Sequence, residues 1–172
     1  PDLLRGYFIK DRSLLNLLFI AARNTLACIF NDAKYRKIKK KKIYLKKNKC
    51  PYSYKNDRNK IVFGSVLTLH TFGRDLKWNP HIHCLISEGG YSDDGFWRNV
   101  KHFDYTFLRN AFRTALLNEM ESKIGSSFKK VKAKCYREHQ QGFYVYAKPN
   151  LCDPRIVVKY IGRYLGRPVI AT

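Results

Sequence analysis

Closely spaced cysteine pairs are the first feature that the sequence lacks. The chain has five cysteines, an odd number, and no two of them form a C-x-x-C arrangement. This pattern argues against both a disulfide framework and a zinc finger, and it is typical of a reducing compartment. We therefore expect the cysteines to be small apolar packing residues.

Long apolar runs and targeting signals are also missing. No apolar run approaches the roughly 20 residues that cross a membrane, no secretory signal pattern is visible, and the sequence has no internal repeat. These absences predict a protein without a membrane partner. Because the chain begins at Pro1 rather than at Met, we expect it to be a piece of a longer protein.

Acidic residues are scarce. The 13 Asp and Glu stand against 34 Lys and Arg, which gives a net charge of +21. A charge of this size predicts a polyanionic partner, nucleic acid first and an anionic membrane second. Hydrophobic residues make up 45% of the 172 residues, which fits a single packed domain over 1–172. The Lys-rich stretch 34–60 predicts a solvated loop or insertion, or a strip that follows a phosphate backbone.

Hydrophobic periodicity predicts helices and strands in alternation. Leu14, Leu18 and Ala22 recur at helical spacing, which predicts a helix over 11–31 capped by Asp11 or Ser13. A second helix is predicted over 102–122, and a third begins at the Asp153 cap with Pro154 in its first turn. Strands are predicted over 61–72, 81–87, 129–136 and 142–147. A turn over 73–80 and a loop over 88–95 are predicted to connect these elements. Short hairpin links favour antiparallel pairing, so we expect an α+β fold with an antiparallel central β-sheet flanked by helices.

Two histidines on one strand form the first candidate site. His81 and His83 stand at i and i+2, so both imidazoles point to the same face and can hold one metal ion. Two ligands leave the metal short of partners. His70 on the preceding strand is the first candidate for a third ligand, although its face depends on the register, and Asp75 in the intervening turn is the second. Weaker candidates lie in a later turn, at Glu138, Gln140 and Gln141. Trp78 could stack a base or pack on the hairpin.

Two tyrosines form the second candidate site. Tyr160 and Tyr164 stand at i and i+4, which places both phenols on one face of the last predicted helix. A phenol has a pKa of about 10, so it needs nearby positive charge to attack a phosphodiester. Candidate cations beside the tyrosines and on the basic face of the strand predicted over 129–136, all expected to contact DNA, are Lys159, Arg163, Arg167, Lys130, Lys132 and Lys134. A divalent metal, Mg²⁺ or Mn²⁺, would polarise the phosphate.

Three separated motifs carry a family resemblance. LTLHTFGRDLKWNPHIHCLISEGG (67–90), VYAKP (145–149) and KYIGRYLGRPVIA (159–171) resemble the IS91-type transposases, two-tyrosine members of the HUH endonuclease superfamily. The resemblance implies that His81 and His83 bind the metal and that Tyr160 and Tyr164 are the nucleophiles. It further implies nicking and transfer of single-stranded or hairpin DNA through a 5′-phosphotyrosine, rolling-circle-type transposition, and a bacterial cytoplasmic, nucleoid-associated location.

Other functions stay open at this point. A non-catalytic DNA- or RNA-binding module would keep its activity without the two phenols. A metal-dependent hydrolase that uses water as nucleophile would cleave DNA without becoming linked to it. A degenerate transposase remnant would bind DNA but not nick it.

Overall fold

The computed structural model describes residues 1–31, 61–73, 75–99 and 103–146, together with the single positions 155, 158, 159 and 162. The described residues up to 146 form four α-helices and one three-stranded sheet. The elements are α1 (Asp2–Lys10), α2 (Asn16–Asn31), β1 (Ile61–Phe72), β2 (Trp78–Ser92), β3 (Trp97–Asn99), α3 (Tyr105–Ile124) and α4 (Lys129–Glu138). The sheet is antiparallel throughout. The predicted α+β class is therefore confirmed.

The first long helix begins differently from the prediction over 11–31. A 3₁₀ turn over Arg12–Leu15 leads directly into α2, and α1 precedes it. The predicted cap is confirmed, since Asp11 Oδ1 accepts a hydrogen bond from the Ser13 backbone N–H at 2.9 Å. Phe8 on α1 is buried in the same core as the 3₁₀ turn, so the two helices fold back on each other around Asp11.

The main core lies between the N-terminal helices and α3. Its fully buried side chains include Leu4, Ala21, Leu117 and Met120. Against the expectation from the apolar runs, the helical stretch Arg12–Phe30 is long and apolar enough to cross a membrane by length and composition alone. Its side chains supply much of this core, which accounts for an apolar composition without reference to a membrane.

The sheet has the order β1-β2-β3, so β2 is its central strand in the described part of the chain. The strand predicted over 61–72 is confirmed, and that predicted over 81–87 lies inside the longer β2. The loop predicted over 88–95 is wrong in its first half, because β2 continues to Ser92 before a tight turn leads into β3. The turn predicted over 73–80 ends sooner, at Lys77, and holds Leu76 in a left-handed conformation with φ 57°.

One face of the sheet packs on the helices. Ile61 is buried and Phe63 packs beside it against α2 and α3, while Leu69 packs against the main core. These residues are an even number of positions apart along β1, so they share the core face. The residues between them, such as Thr68 and His70, lie on the opposite face.

The strand predicted over 129–136 is wrong, because this segment forms α4. Alternating lysines indicated a strand, yet Lys, Ala, Arg and Glu are also strong helix formers. The helix places Val131 and Cys135 four residues apart on one side, where Val131 packs against the core and Cys135 is fully buried. The predicted basic strand face therefore does not exist.

The hairpin partner predicted over 142–147 is also not a strand in its described residues. Phe143 is buried in the core and its N–H donates to the Arg109 carbonyl on α3 at 3.1 Å. Gly142 has φ 86°, and a Cβ there would lie 2.3 Å from the Arg109 carbonyl carbon, so the chain crosses α3 too closely for a side chain. An extended segment that packs on a helix thus replaces the expected pair.

Several predictions fall outside the described residues. These are the Lys-rich stretch 34–60, the Asp153 cap with Pro154, and the side chains Tyr160, Arg163, Tyr164 and Arg167. In the last predicted helix, the described positions Arg155, Val158, Lys159 and Gly162 are helical, in agreement with the prediction. None of the described cysteines is in a disulfide, which agrees with the expectation. Cys135 is buried, as expected of a packing residue, whereas Cys28 is half-buried and Cys84 is exposed.

Candidate metal site and nucleic-acid interface

Three histidines meet on the sheet face that points away from the core. His81 and His83 lie on this face of β2, and Ile82 between them packs into the main core. The register of the hairpin places His70 of β1 directly opposite His81. Register was the property that the sequence left open, and the structure brings His70 to the other two imidazoles.

The three rings are close enough to share one ion. Ring centroids are separated by 5.6 Å for His70–His81, 4.4 Å for His70–His83 and 4.9 Å for His81–His83. One potential ligand nitrogen from each ring lies within 4.8 Å of the others. The Nε2 atoms of His81 and His83 are 3.0 Å apart. This is the arrangement of a three-nitrogen donor set that converges on a common point.

A bulge next to the site orients His81. Between the pairs His70–His81 and Phe72–Trp78, β2 carries one more residue than β1. Pro80 lies in this bulge, where its lack of an N–H costs the ladder nothing. The Asn79 carbonyl lies 2.6 Å from His81 Nδ1. A carbonyl only accepts, so Nδ1 carries the proton and Nε2 is the ring nitrogen of His81 that could bind a metal.

The α1 helix anchors the entry to this strand. Arg5 Nη2 donates to Asn79 Oδ1 at 3.0 Å, and Trp78 Nε1 donates to the Arg5 carbonyl at 3.3 Å. Trp78 also contacts Phe72 edge to face and lies under the Arg12 guanidinium at 4.9 Å. Of the two roles open for Trp78, the structure supports packing. The sequence did not predict that Asn79 orients His81, although Asn79 stands just before Pro80 and the H-x-H pair.

Burial keeps two of the imidazoles neutral. Desolvation, reinforced by His70 and His81, lowers the pKa of His83 from 6.5 to about 4. Desolvation and the neighbouring His81 also lower the pKa of His70. Metal ions bind the neutral ring, so at neutral pH these two nitrogens need not lose a proton to become ligands.

The other candidate ligands have different neighbours. Asp75 lies in the exposed hairpin turn, where its carboxylate accepts from the Lys77 backbone N–H at 3.2 Å and pairs with the Lys77 ammonium at 3.6 Å. Glu138 pairs with Lys134 at the end of α4. Gln140 lies in the turn that follows, where its carbonyl accepts from Arg113, and Gln141 completes that turn. Within the described residues the converging set consists of the three histidines.

The three lysines predicted to form one basic face are divided by the helix. Lys130 and Lys134 are four residues apart and exposed. Lys132 points to α3, where its ammonium contacts Glu121 Oε2 at 2.5 Å and Asn118 Oδ1 at 2.6 Å. Lys159 is exposed and helical. Of the three lysines predicted to contact DNA, Lys130 and Lys134 are therefore exposed, whereas Lys132 is engaged by α3.

Comparison with known proteins identifies the family. The family described as "Putative transposase", the Y2 transposases, matches residues 64–172. The transposase for insertion sequence element IS801 of Pseudomonas savastanoi pv. phaseolicola is 27% identical over 183 residues, which cover 99% of this chain and 38% of that protein. The "Putative transposase y4qJ" of Sinorhizobium fredii is 30% identical over 125 residues, which cover 63% of this chain and 31% of that protein.

The matched region contains all three histidines and the two tyrosines of the sequence motifs. The chain spans less than two fifths of the length of these two relatives. No solved structure matches it significantly. Since the family match covers more than half of the chain, the chain belongs to the two-tyrosine transposases of the IS91 type.

Proposed function

We propose that this chain carries the catalytic centre of a transposase that nicks single-stranded DNA and transfers it through a 5′-phosphotyrosine. The observation that carries the proposal is the convergence of three imidazole nitrogens within 4.8 Å on the sheet face that points away from the core. Among the described residues the hydrophobic core lies on the other face of the sheet, so these three side chains are not part of it. Membership of a transposase family gives this site a substrate class, DNA.

His70, His81 and His83 would hold a divalent cation. A cation bound there would polarise a non-bridging oxygen of the scissile phosphate and orient the phosphorus for attack. Between the two expected metals, the all-nitrogen donor set favours Mn²⁺, because Mg²⁺ is a hard cation that prefers oxygen ligands. The hydrogen bond from His81 Nδ1 to the Asn79 carbonyl fixes the ring in the tautomer that binding needs.

Tyr160 and Tyr164 would be the nucleophiles. In the proposed step, one phenolic oxygen forms a bond to the 5′-side phosphorus while the bond from that phosphorus to the 3′-oxygen breaks. The phenol loses a proton and the leaving 3′-oxygen gains one, so no external oxidant or energy source is required. The stored phosphodiester is then open to attack by another 3′-hydroxyl. A second phenol one helical turn away would permit a second transfer before release.

The proposed partner is single-stranded or hairpin DNA of a mobile element. The net charge of +21 matches a polyanion. A flexible strand can enter a site set on a sheet face more easily than a duplex can. Such a protein would work in the bacterial cytoplasm, beside the nucleoid.

Trapping of the covalent intermediate tests the proposal. The 172-residue chain is incubated with labelled single-stranded DNA and Mn²⁺, denatured, and run on a gel. We expect a labelled, protein-linked band that requires the metal. The band should disappear in the Tyr160→Phe/Tyr164→Phe double variant and in His81→Gln. The matched control, Tyr144→Phe, alters an exposed tyrosine outside the motifs and should leave the band unchanged.

Each rival function predicts a different gel. Cleaved DNA without a protein-linked band would indicate a hydrolase that uses water, and would overturn the phosphotyrosine step. Retarded but uncleaved DNA, with no difference between the wild type and the double variant, would indicate a binding module or a degenerate remnant.

A further inference from the structure

Two aromatic side chains remain exposed on the sheet near its far end. Tyr91 of β2 is 59% exposed and Trp97 of β3 is 47% exposed. They are directly paired across the two strands. Their rings meet edge to face, with centroids 5.2 Å apart and an interplanar angle of 79°. Large rings with this exposure leave apolar surface in contact with water, and a partner that covers the rings would bury this surface.

The Trp97 ring is held in place by its neighbours. A Cβ on Gly89 would lie 2.8 Å from both Cε2 and Nε1 of Trp97, so the indole rests on the bare backbone of this glycine. The indole N–H donates to Asn99 Oδ1 at 2.5 Å. These contacts fix the orientation of the ring while half of it remains open. A partner that stacks on it would therefore pay little side-chain entropy.

This aromatic pair lies on the same face of the sheet as the histidines. Val62 of β1 pairs with Tyr91 and is 62% exposed, whereas Ile61 and Phe63 beside it face the core. Val62 is eight positions from His70 along β1, and an even spacing places both on one face. The pairing is irregular between Phe63–Gly90 and Ser65–Ile86, where β2 has two more residues than β1. Two is an even number, so the assignment of the faces is unchanged. At about 3.3 Å per residue, the pair lies roughly 20–26 Å from the histidine cluster.

We propose that Tyr91 and Trp97 form a stacking platform for unpaired bases of the DNA strand whose phosphate enters the histidine site. This inference rests on the proposed function, because it uses the same strand of DNA. Bases stack on aromatic rings without regard to sequence, and the charge of the chain favours a nucleic acid over an apolar protein surface. A strand of several nucleotides, of the length that single-strand binding sites cover, connects the two places.

The contrast with Trp78 supports this assignment. Trp78, the tryptophan closer to the histidines in sequence, is covered by the core, Phe72 and Arg12 and donates its N–H to a backbone carbonyl. Trp97 has no such cover in the described part of the protein. Of the two tryptophans, only Trp97 has a ring face available to a base.

Binding of a labelled oligothymidine of about 16 nucleotides tests the platform. All measurements use the Tyr160→Phe/Tyr164→Phe background, so that no covalent product forms. Trp97→Ala and Tyr91→Ala should each weaken binding about tenfold, while Trp97→Phe should retain most of the affinity. The slope of log affinity against log salt should stay unchanged, because rings make no phosphate contacts. Tyr144→Ala, the matched removal of an exposed ring, should bind like the background.

Fluorescence gives a direct readout of stacking. With Trp78→Phe, Trp97 is the single tryptophan of the chain, and oligothymidine should quench its emission whereas a matched duplex should not. Unchanged emission together with unchanged affinity of the ring variants would overturn the platform. A second outcome would also overturn the platform. If light scattering shows that Trp97→Ala differs from the wild type in oligomeric state while its DNA affinity is unchanged, the rings form a contact with a second copy of the chain.

The trapping gel is independent of these measurements. If the protein-linked band forms and Trp97→Ala and Tyr91→Ala bind oligothymidine like the background, the platform alone is refuted. Weakened oligothymidine binding by the ring variants without any protein-linked band would refute the phosphotyrosine chemistry and leave the platform as part of a binding surface.

Discussion

Acid should destabilise the fold through the histidine cluster, and His83 should carry a measurable part of this effect. In the unfolded chain His83 takes up a proton near its ordinary pKa of 6.5, whereas burial and the neighbouring imidazoles hold its pKa near 4 in the folded protein. Between these values the unfolded state binds more protons. The free energy of unfolding therefore falls as the pH drops through this window, and it is unaffected by His83 above it.

The size of the effect follows from the shift and from the exposure of the ring. The shift of the His83 pKa from 6.5 to about 4 corresponds at most to about 3 kcal/mol in the free energy of unfolding. His83 is only partly buried, so solvent screening reduces the expected loss to about 1–2 kcal/mol. Urea unfolding of the metal-free protein, with chelator present, at a series of pH values measures it. His83→Gln should lose less stability than the wild type between pH 6.5 and 4.

A matched control removes a histidine outside the cluster. His139 follows α4 and its ring contacts Phe143, so His139→Gln changes the same functional group at a distant place. This variant should keep the gain in stability that Mn²⁺ gives the wild type at neutral pH, because His139 is not one of the three converging histidines. Parallel curves for the wild type and His83→Gln would refute the account of a desolvated imidazole cluster. Added Mn²⁺ should raise the stability of the wild type at neutral pH and not that of His83→Gln.

Three further predictions concern the surface and the turns. Lys130→Gln and Lys134→Gln should each make the negative slope of log affinity against log salt for single-stranded DNA less steep by about 0.7. Lys132 is engaged by Glu121 of α3, so Lys132→Gln should leave this slope unchanged. Gly142→Ala should lower the free energy of unfolding by about 3 kcal/mol, because the added methyl would lie 2.3 Å from the α3 backbone at a φ of 86°; an equal urea midpoint would contradict this. Leu76→Asn should raise the stability by about 0.5–1 kcal/mol, since asparagine tolerates the left-handed turn position better than leucine; an unchanged or lower midpoint would contradict this.

The histidine hairpin was predictable because strand geometry is local. The side-chain period of two fixes His81 and His83 on one face whatever the rest of the fold does. The position of His70 was not predictable, since register depends on how the turn closes and where a strand bulges. The turn closes over five residues, and the bulge at Pro80 shifts the pairing by one. Both details place His70 opposite His81.

The segment 129–136 shows the opposite case. Its lysines alternate, but Val131 and Cys135 also stand at helical spacing, so the sequence satisfies two periods at once. Long-range contacts decide between them. The helix buries Cys135 completely and brings Lys132 to Glu121 of α3, contacts that no local pattern contains.

The division of the sheet into two faces links stability to the proposed chemistry. Ile82 anchors β2 in the core, so the histidines on either side of it are held by a strand that cannot shift without exposing apolar surface. Trp97 is held in the same way, through β3 and the glycine under its ring. Both sites thus depend on one rigid central strand. A metal ion and a stacked base, at opposite ends of this strand, would hold a DNA strand at two points and restrict where its backbone can be cut.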